Sequence, residues 1–534
     1  MSRHSSIRPP RIRALCVLAL TLVTVVGLTA CRSAVDAQQS PATRTGPVQR
    51  GGELRAGVLG DLTPSTLLQI GAGGANGHVV ANVFDTLVSY PPDSSKPRPS
   101  LATSWTSAPD GRSLTLTLRE GVTFHNGREF TSQDVKQSIL AYLGGPWTPQ
   151  FKRTAAAITG YDVSDPYRVT LQFAHPLSNI FDLLDSAPIL DGDTLDELKA
   201  GKTFNGTGPF RLASWTPNSR IRLVRNDDYW GGAPPLDAVT LVESTDPKSL
   251  YTRLRTGQLD LAGDLTSQDQ QLATERYGFT DIELTGAESQ VYVGVNVANP
   301  ALADPRVRKA IAFAVDRDRI IGDVFRGSGY PVNLPWPKTS PAYDPGANQT
   351  YSRNVQKAKD LLRGVGPIGP IDLDYTTTGS SFRIVAEIVQ SNLRDIGITV
   401  NLVPNEKTVQ SKKLIGSQFP GLWVLQHAFA QFTPSTLAVS AYPFNAAKNS
   451  SNYVSREYSS AAEAAWTATD PTSPEAVSAY RRLDKAWLDD LFIIELGVIL
   501  TRIAAAPNVR DVAWDHRVQL HFADTSLTDP DRSS

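Results

Sequence analysis

This 534-residue chain has little cysteine or methionine and no long run of like charges. Its two cysteines stand at 16 and 31, and its one methionine is Met1. The seven histidines, at 4, 78, 125, 175, 427, 516 and 521, form no H-E-x-x-H pattern and have no free cysteine to join them in a zinc site. His125, in "FHNG", reads as part of a turn. No G-x-S-x-G elbow occurs, since "RGSGY" lacks the spacing. Gly201-Lys202-Thr203 ends like a phosphate-binding loop, but Asp196 stands where that loop needs its first glycine, so the triplet reads as a helix end. No basic run suits nucleic acid, and past the first thirty residues no apolar stretch is long enough to span a bilayer. Nothing here demands chemistry, so the chain is expected to be no enzyme and to carry no metal or cofactor.

What is present begins at the N terminus. Residues 1–13 hold Arg3, Arg8, Arg11 and Arg13 and no acid, and residues 14–28 are apolar or small apart from two threonines. A spanning helix needs about 20 apolar residues. This shorter run, with its basic start and small-residue end, reads as a secretory signal. "LTAC", residues 28–31, resembles the bacterial lipobox, which marks cleavage just before a cysteine that becomes lipidated. The competing reading is an ordinary signal with an incidental cysteine. Cysteine counting favours the lipobox. Cys16 leaves with the signal, and Cys31 becomes the first residue and only cysteine of the mature chain, unable to form an internal disulfide. Each buried acyl methylene contributes roughly 0.8 kcal/mol, so several chains on one cysteine hold firmly. Residues 1–30 are thus expected to be a lipoprotein signal peptide and 31–50 a flexible polar tether. The protein is expected to be exported and anchored to the outer face of the cell membrane by lipidated Cys31. Cleavage takes the formal charge from −1 to −5, nearly neutral for this size.

The length suggests about three domain-sized units. "GGELRAGVLG" (51–60), "SLTLTL" (113–118), "RVTLQF" (168–173), "RIRLVR" (220–225) and "VYVGVNV" (291–297) read as strands. Asp304-Pro305 caps a helix predicted to run through "RVRKAIAFAVDRDRIIGDVF". Further helices are predicted in "SRNVQKAKDLLRGVG", over 382–397 up to Gly397, and over 474–490. The class is α/β.

At "LATSWTSAPDGRSLTLTLREGVTFHNGREFTSQDV" (101–135) the chain resembles the family 5 extracellular solute-binding proteins, the peptide- and nickel-binding group that feeds ABC importers. "FNGTGPFRLASW" (204–215), "RNDDYWGGAPPLDAV" (225–239), "LRTGQLDL" (254–261), "GVNVANPALADPRVRKAIAFAVDRDRII" (294–321) and "QKAKDLL" (356–362) are similar to it in the same order. The resemblance implies a two-lobed, periplasmic-binding-protein-like fold with an extra subdomain and a hinged cleft. Lobe 1 would be discontinuous, 51–83, 191–289 and 504–534, with its subdomain at 84–190. Lobe 2 would be 290–503, with the hinge near 289–296 and 500–506. It implies a monomer that delivers a small peptide or peptide-like solute to ABC permease and ATPase subunits. A nickel chelate, haem or oligosaccharide ligand is the alternative within the class. A surface sensor, adhesin or peptidoglycan-processing enzyme is the alternative outside it.

Peptide-binding relatives place an aspartate for the peptide amino group, and some an arginine, in the stretch matching 425–434. Here those positions are Ala430 and Val424, and 414–447 holds no charged residue at all. Affinity is therefore expected to depend little on a free peptide amino terminus. The stretch instead offers Trp423, Gln426, His427, Phe429, Gln431 and Phe432, which suit flat apolar faces and neutral polar groups. Trp423 and Phe432 fit core or cleft equally. "GAGGANG" (71–77) matches a ligand-facing loop, which makes Gly73, Gly74, Ala75 and Asn76 candidates, with a plain turn as the other reading. Tyr292 and Trp147 complete the set. Tyr229 and Trp230 read as packing beside a turn.

The lipobox carries the first test. Cys31→Ala should move the protein from the membrane fraction to the soluble one. A variant that survives detergent-free washing still membrane-bound would refute the anchor.

Overall fold

A computed structural model describes residues 50–67, 74–92, 94, 96–144, 151–378, 380–428 and 432–528. Among these, no helix is long and apolar enough to cross a membrane.

Three sheets organise the chain. In the smallest, alternation decides the pairing. Leu114, Leu116 and Leu118 of strand Ser113–Leu118 face the core beside Val169, Leu171 and Phe173 of strand Arg168–Phe173. Strands Ala102–Ser107 and Ile158–Asp165 flank them, all antiparallel. A seven-stranded mixed sheet runs in the order Thr280–Glu283, Arg502–Ala505, Leu261–Ala262, Glu53–Leu59, Ala238–Ser244, Arg220–Arg225, Phe210–Thr216. A six-stranded sheet runs Gly329–Pro331, Ile493–Ile499, Ser289–Val295, Leu422–His427, Ile371–Thr376, Val400–Asn405. In the latter, Ser289–Val295 is antiparallel to both neighbours, while Ile371–Thr376 is parallel to both of its own.

The chain passes between the two large sheets at 284–288 and again at 500–501. The crossings hold each other: Leu284 N donates to Thr501 O at 2.9 Å, and Thr501 Oγ1 donates to Ala287 O at 2.8 Å.

Several of the ordered sequence motifs prove architectural. Tyr229 Oη and Trp230 Nε1 both donate to the buried Asp85 carboxylate, at 3.1 and 2.8 Å, and Thr207 Oγ1 joins them at 2.8 Å. Burial raises the Asp85 pKa, against the pull of these donors. Gly206 lets the chain lie against Val83, where an added Cβ would fall 1.9 Å from the carbonyl oxygen. His125 sits in its turn with Nε2 2.9 Å from Gly208 O, and burial lowers its pKa to about 4.

The predicted helix after Asp304 ends early. Asp304 accepts from Arg306 N and Pro305 opens the helix, but it stops at Ala314 because Val315 turns extended. Asp316 then caps a new turn by accepting from Arg319 N, and Ile320–Val324 winds on as a wide π turn. This break turns Arg317 inward. Its buried guanidinium donates to the carbonyls of Val332, Glu495, Ala312 and Tyr351 at 2.8–3.1 Å, and burial lowers its pKa to about 10. Arg308 binds Asp490, Leu302 and Ala303 carbonyls in the same way. The helices predicted at 382–397 and 474–490 are observed as Ser380–Arg394 and Pro474–Asp490.

Removing the Arg317 side chain strands four buried carbonyls at once. Arg317→Ala should cost about 3 kcal/mol or more in chemical denaturation, and Arg317→Lys should recover only part of it, because an ammonium cannot span the fork. A loss under about 1 kcal/mol would contradict this role.

Candidate functional site: the cleft between the sheets

The elements around the four-stranded sheet meet those of the six-stranded sheet through buried polar contacts. Asp182, on helix Ile180–Ser186, is the centre. Its carboxylate accepts from Thr433 N and Thr433 Oγ1 at 3.0 Å, from Thr436 Oγ1 at 2.5 Å and from Tyr90 Oη at 3.0 Å. It lies at the start of helix Pro434–Ser440, whose own Thr433 side chain makes no cap bond. Beside it, Asn179 donates to Thr436 Oγ1 at 2.9 Å, Trp466 Nε1 donates to Asn179 Oδ1, and Ser178 and Ser435 hydroxyls meet at 2.8 Å. Burial pushes the Asp182 pKa up to about 7, although four neutral donors pull it down.

Next to this bridge lies a narrow cleft lined by Pro91, Pro92, Gly286, Pro337, Phe432, Thr433 and His516 among others. Phe432 packs edge-on between Phe151 and His516, at 5.5 and 4.7 Å between centroids. Burial lowers the His516 pKa. Behind His516, Asp515 binds Arg517, and although burial pushes the Asp515 carboxyl up, Arg517 and neighbouring histidines hold it far below its usual range.

On the six-stranded sheet, Gln290, Tyr292, His427 and Glu495 are buried on one face. His427 Nε2 lies 3.2 Å from Glu495 Oε1, and the Tyr292 and His427 rings are 5.7 Å apart. Burial pushes the Tyr292 hydroxyl above its ordinary range.

The model of the bacterial extracellular solute-binding proteins, family 5 Middle, matches residues 96–479. The chain belongs to that family. The oligopeptide-binding protein AppA of Bacillus subtilis (strain 168) is 26% identical over 435 residues, covering 77% of this chain and 79% of AppA. Di/tripeptide-binding protein 2 of Pseudomonas aeruginosa (strain UCBPP-PA14) is 30% identical over 360 residues, covering 60% of this chain and 66% of that protein. The solved AppA structure in complex with a nonapeptide superposes with a TM-score of 0.77 at 22% identity, covering 90% of this chain and all (100%) of AppA. The fold is therefore the two-lobed periplasmic-binding-protein type with a hinged cleft.

The family 5 chain places its sequence-picked residues unevenly. Gly73, Trp147, Phe429, Gln431 and Cys31 lie outside the described residues, as do Ala430 and nearly all of 1–50. Tyr292 and His427 come together on the sheet. Trp423 shares their face but is fully buried, stacked on Phe419 at 4.5 Å, in the space left by Gly294, whose added Cβ would fall 2.0 Å from the indole. Gln426 is exposed, and alternation along the strand turns it to the face opposite His427. Phe432 reaches the cleft. Residues 74–77 are less a loop than a helix start. Gly74, at φ +66°, precedes helix Ala75–Val83, Ala75 is buried, and the Asn76 amide is engaged by Thr63 and Thr66. Asp182, Tyr90, Thr433, Thr436, Gln290 and Glu495 were not singled out from sequence. Only Glu495 carried a signal: it is the lone charge in "LFIIELGVIL" (491–500).

Parting the lobes would return Asp182 to water and its ordinary pKa of 3.8. Closure then takes up a proton between pH 4 and 7. The closed form is favoured most below pH 4 and loses that advantage as pH rises through about 7. His516 titrates in the opposite sense below its ordinary 6.5, so the clean window lies above that. Affinity for a retained solute, measured by calorimetry, should fall a few-fold from pH 6.5 to 7.5 and then level off. Asp182→Asn should flatten the profile. An identical profile in the variant would remove Asp182 from the closing equilibrium.

Proposed function

We propose that the protein is the lipid-anchored substrate-binding component of an ABC importer, a binder and not an enzyme. It captures an oligopeptide or peptide-like solute between its lobes and delivers the solute to a permease. The observation that carries this reading is the buried polar bridge from Ser178, Asn179 and Asp182 to Thr433, Ser435 and Thr436, beside a cleft lined by Pro91, Pro337, Phe432 and His516. Such a bridge forms when the two sides of that cleft meet, as a closing binder requires. Family membership and the peptide-binding names of the relatives support the solute class. The lobe limits of 51–83, 191–289 and 504–534 against 290–503, with a subdomain at 84–190, belong to the same proposal, as does the anchor at Cys31. The last boundary moves to the 500–501 crossing, because strand Arg502–Ala505 lies whole in the seven-stranded sheet. The ligand being enclosed between hinged bodies, its release must be coupled to opening.

Native mass spectrometry of the freshly purified protein should show a retained small peptide or peptide-like mass. Small-angle scattering should show a more compact particle with the ligand than after its removal by mild denaturation and refolding. An unchanged radius on saturation, or chemical turnover of the bound species, would overturn the reading.

A further inference from the structure

Trp466, the last residue of helix Arg456–Trp466, is only 4% exposed, and three residues from around the four-stranded sheet close on it. The Arg153 guanidinium lies over the indole face, 4.1 Å from the ring centroid. The His175 ring meets the indole edge-on at 4.6 Å. Asn179 Oδ1, 287 positions away in the chain, accepts from Trp466 Nε1 at 2.9 Å. The backbone joins in: Ser178 N donates to Trp466 O at 3.0 Å, and Ser178 Oγ donates to Ala465 O at 2.8 Å. At the rim Arg153 pairs with Glu463 at 2.6 Å, and these two side chains are 38% and 50% exposed.

A buried aromatic at the centre, its one donor satisfied, with a charged pair shielding the edge, is the anatomy of an interface anchor. Asn179 gives up a local role for this contact. It stands at the N-cap of helix Ile180–Ser186, where an asparagine ordinarily accepts from the helix's own N–H groups, yet it makes no cap bond. Its oxygen goes to Trp466, and its amide goes to Thr154 and Thr436, at 3.0 and 2.9 Å. The Trp466 patch thus joins the same two sets of elements as the Asp182 bridge. None of Arg153, His175, Glu463 and Trp466 is in the walls of the cleft beside that bridge.

We infer that Trp466 anchors the closed form from outside the cleft, and so sets the affinity for every captured solute by a common factor while touching none of them. The inference rests on the closing-binder reading above. A solute held only by the closed form binds with an apparent affinity proportional to the closed fraction. A residue that favours closure without meeting the solute therefore scales all affinities together.

Calorimetry with trialanine and with Ala-Phe-Ala tests this on the wild type and three variants. Trp466→Phe keeps most of the bulk and loses the bond to Asn179, so both peptides should bind about fivefold weaker. Trp466→Ala should weaken both by about thirtyfold or more. Arg153→Ala, at the exposed rim, should weaken both about threefold. The ratio of the two affinities should stay within about twofold of its wild-type value throughout. Should Trp466→Ala fail to fold, Trp466→Phe and Arg153→Ala carry the same comparison. A ratio that shifts with the Trp466 variants would make the residue a solute contact, and unchanged affinities would make it ordinary packing; either overturns the inference. If neither peptide binds the wild type, the peptide reading falls, and small-angle scattering of the freshly purified proteins decides the inference. A larger radius in the folded Trp466 variants than in the wild type upholds it, and equal radii overturn it.

Discussion

A single carboxylate, Asp182, is the point on which the closed arrangement turns. It sits in a place where water cannot reach it, and it answers four donors drawn from both sides of the cleft. Buried polar groups tolerate no half measures: satisfied, they fix a geometry, and unsatisfied, they cost more than an apolar surface would. Every hydroxyl in the bridge is therefore a reason for the lobes to meet in one register. Helix Pro434–Ser440 gains from the same contact, because the N–H of its N-cap residue, Thr433, finds an acceptor across the gap.

The six-stranded sheet meets the same rule in another way. Its central strand is antiparallel to both neighbours, so residues of three strands stack side by side on one face. On the far face, Val291, Val293 and Val295 make an ordinary core with Leu422, Val424 and Leu496. On the near face the strands hold Gln290, Tyr292, His427 and Glu495, and Gly294 yields its space to Trp423. Both faces are packed: on the near one Phe444 closes over His427 and Tyr292, at 4.6 and 5.9 Å between ring centroids.

Local signals in the sequence were legible, and long-range ones were not. Pro474–Asp490 could be read because its cap, its apolar spacing and its end all lie within one window. The roles of Arg308 and Arg317 in "RVRKAIAFAVDRDRII" could not, since several of the carbonyls they hold come from distant segments at 332, 351 and 490–495. Tyr229 and Trp230 were readable as packing, but not as donors to Asp85, which lies 144 and 145 positions away. At the site, His427 stood out as a polar residue in an apolar run, and Tyr292 as a residue of the crossing strand. The carboxylates that matter sit on other elements, and a search confined to the motif positions passes over them.

The paired crossings at 284–288 and 500–501 have a mechanical consequence. Two connections that moved independently would let the lobes twist, shear and splay. These two are bonded to each other through Leu284, Ala287 and Thr501, so they turn as one leaf. Bonds of this kind favour a single bending motion over independent twisting of the two connections. In such an arrangement the separation of the two large sheets, rather than any one contact, carries the difference between a parted and a closed cleft.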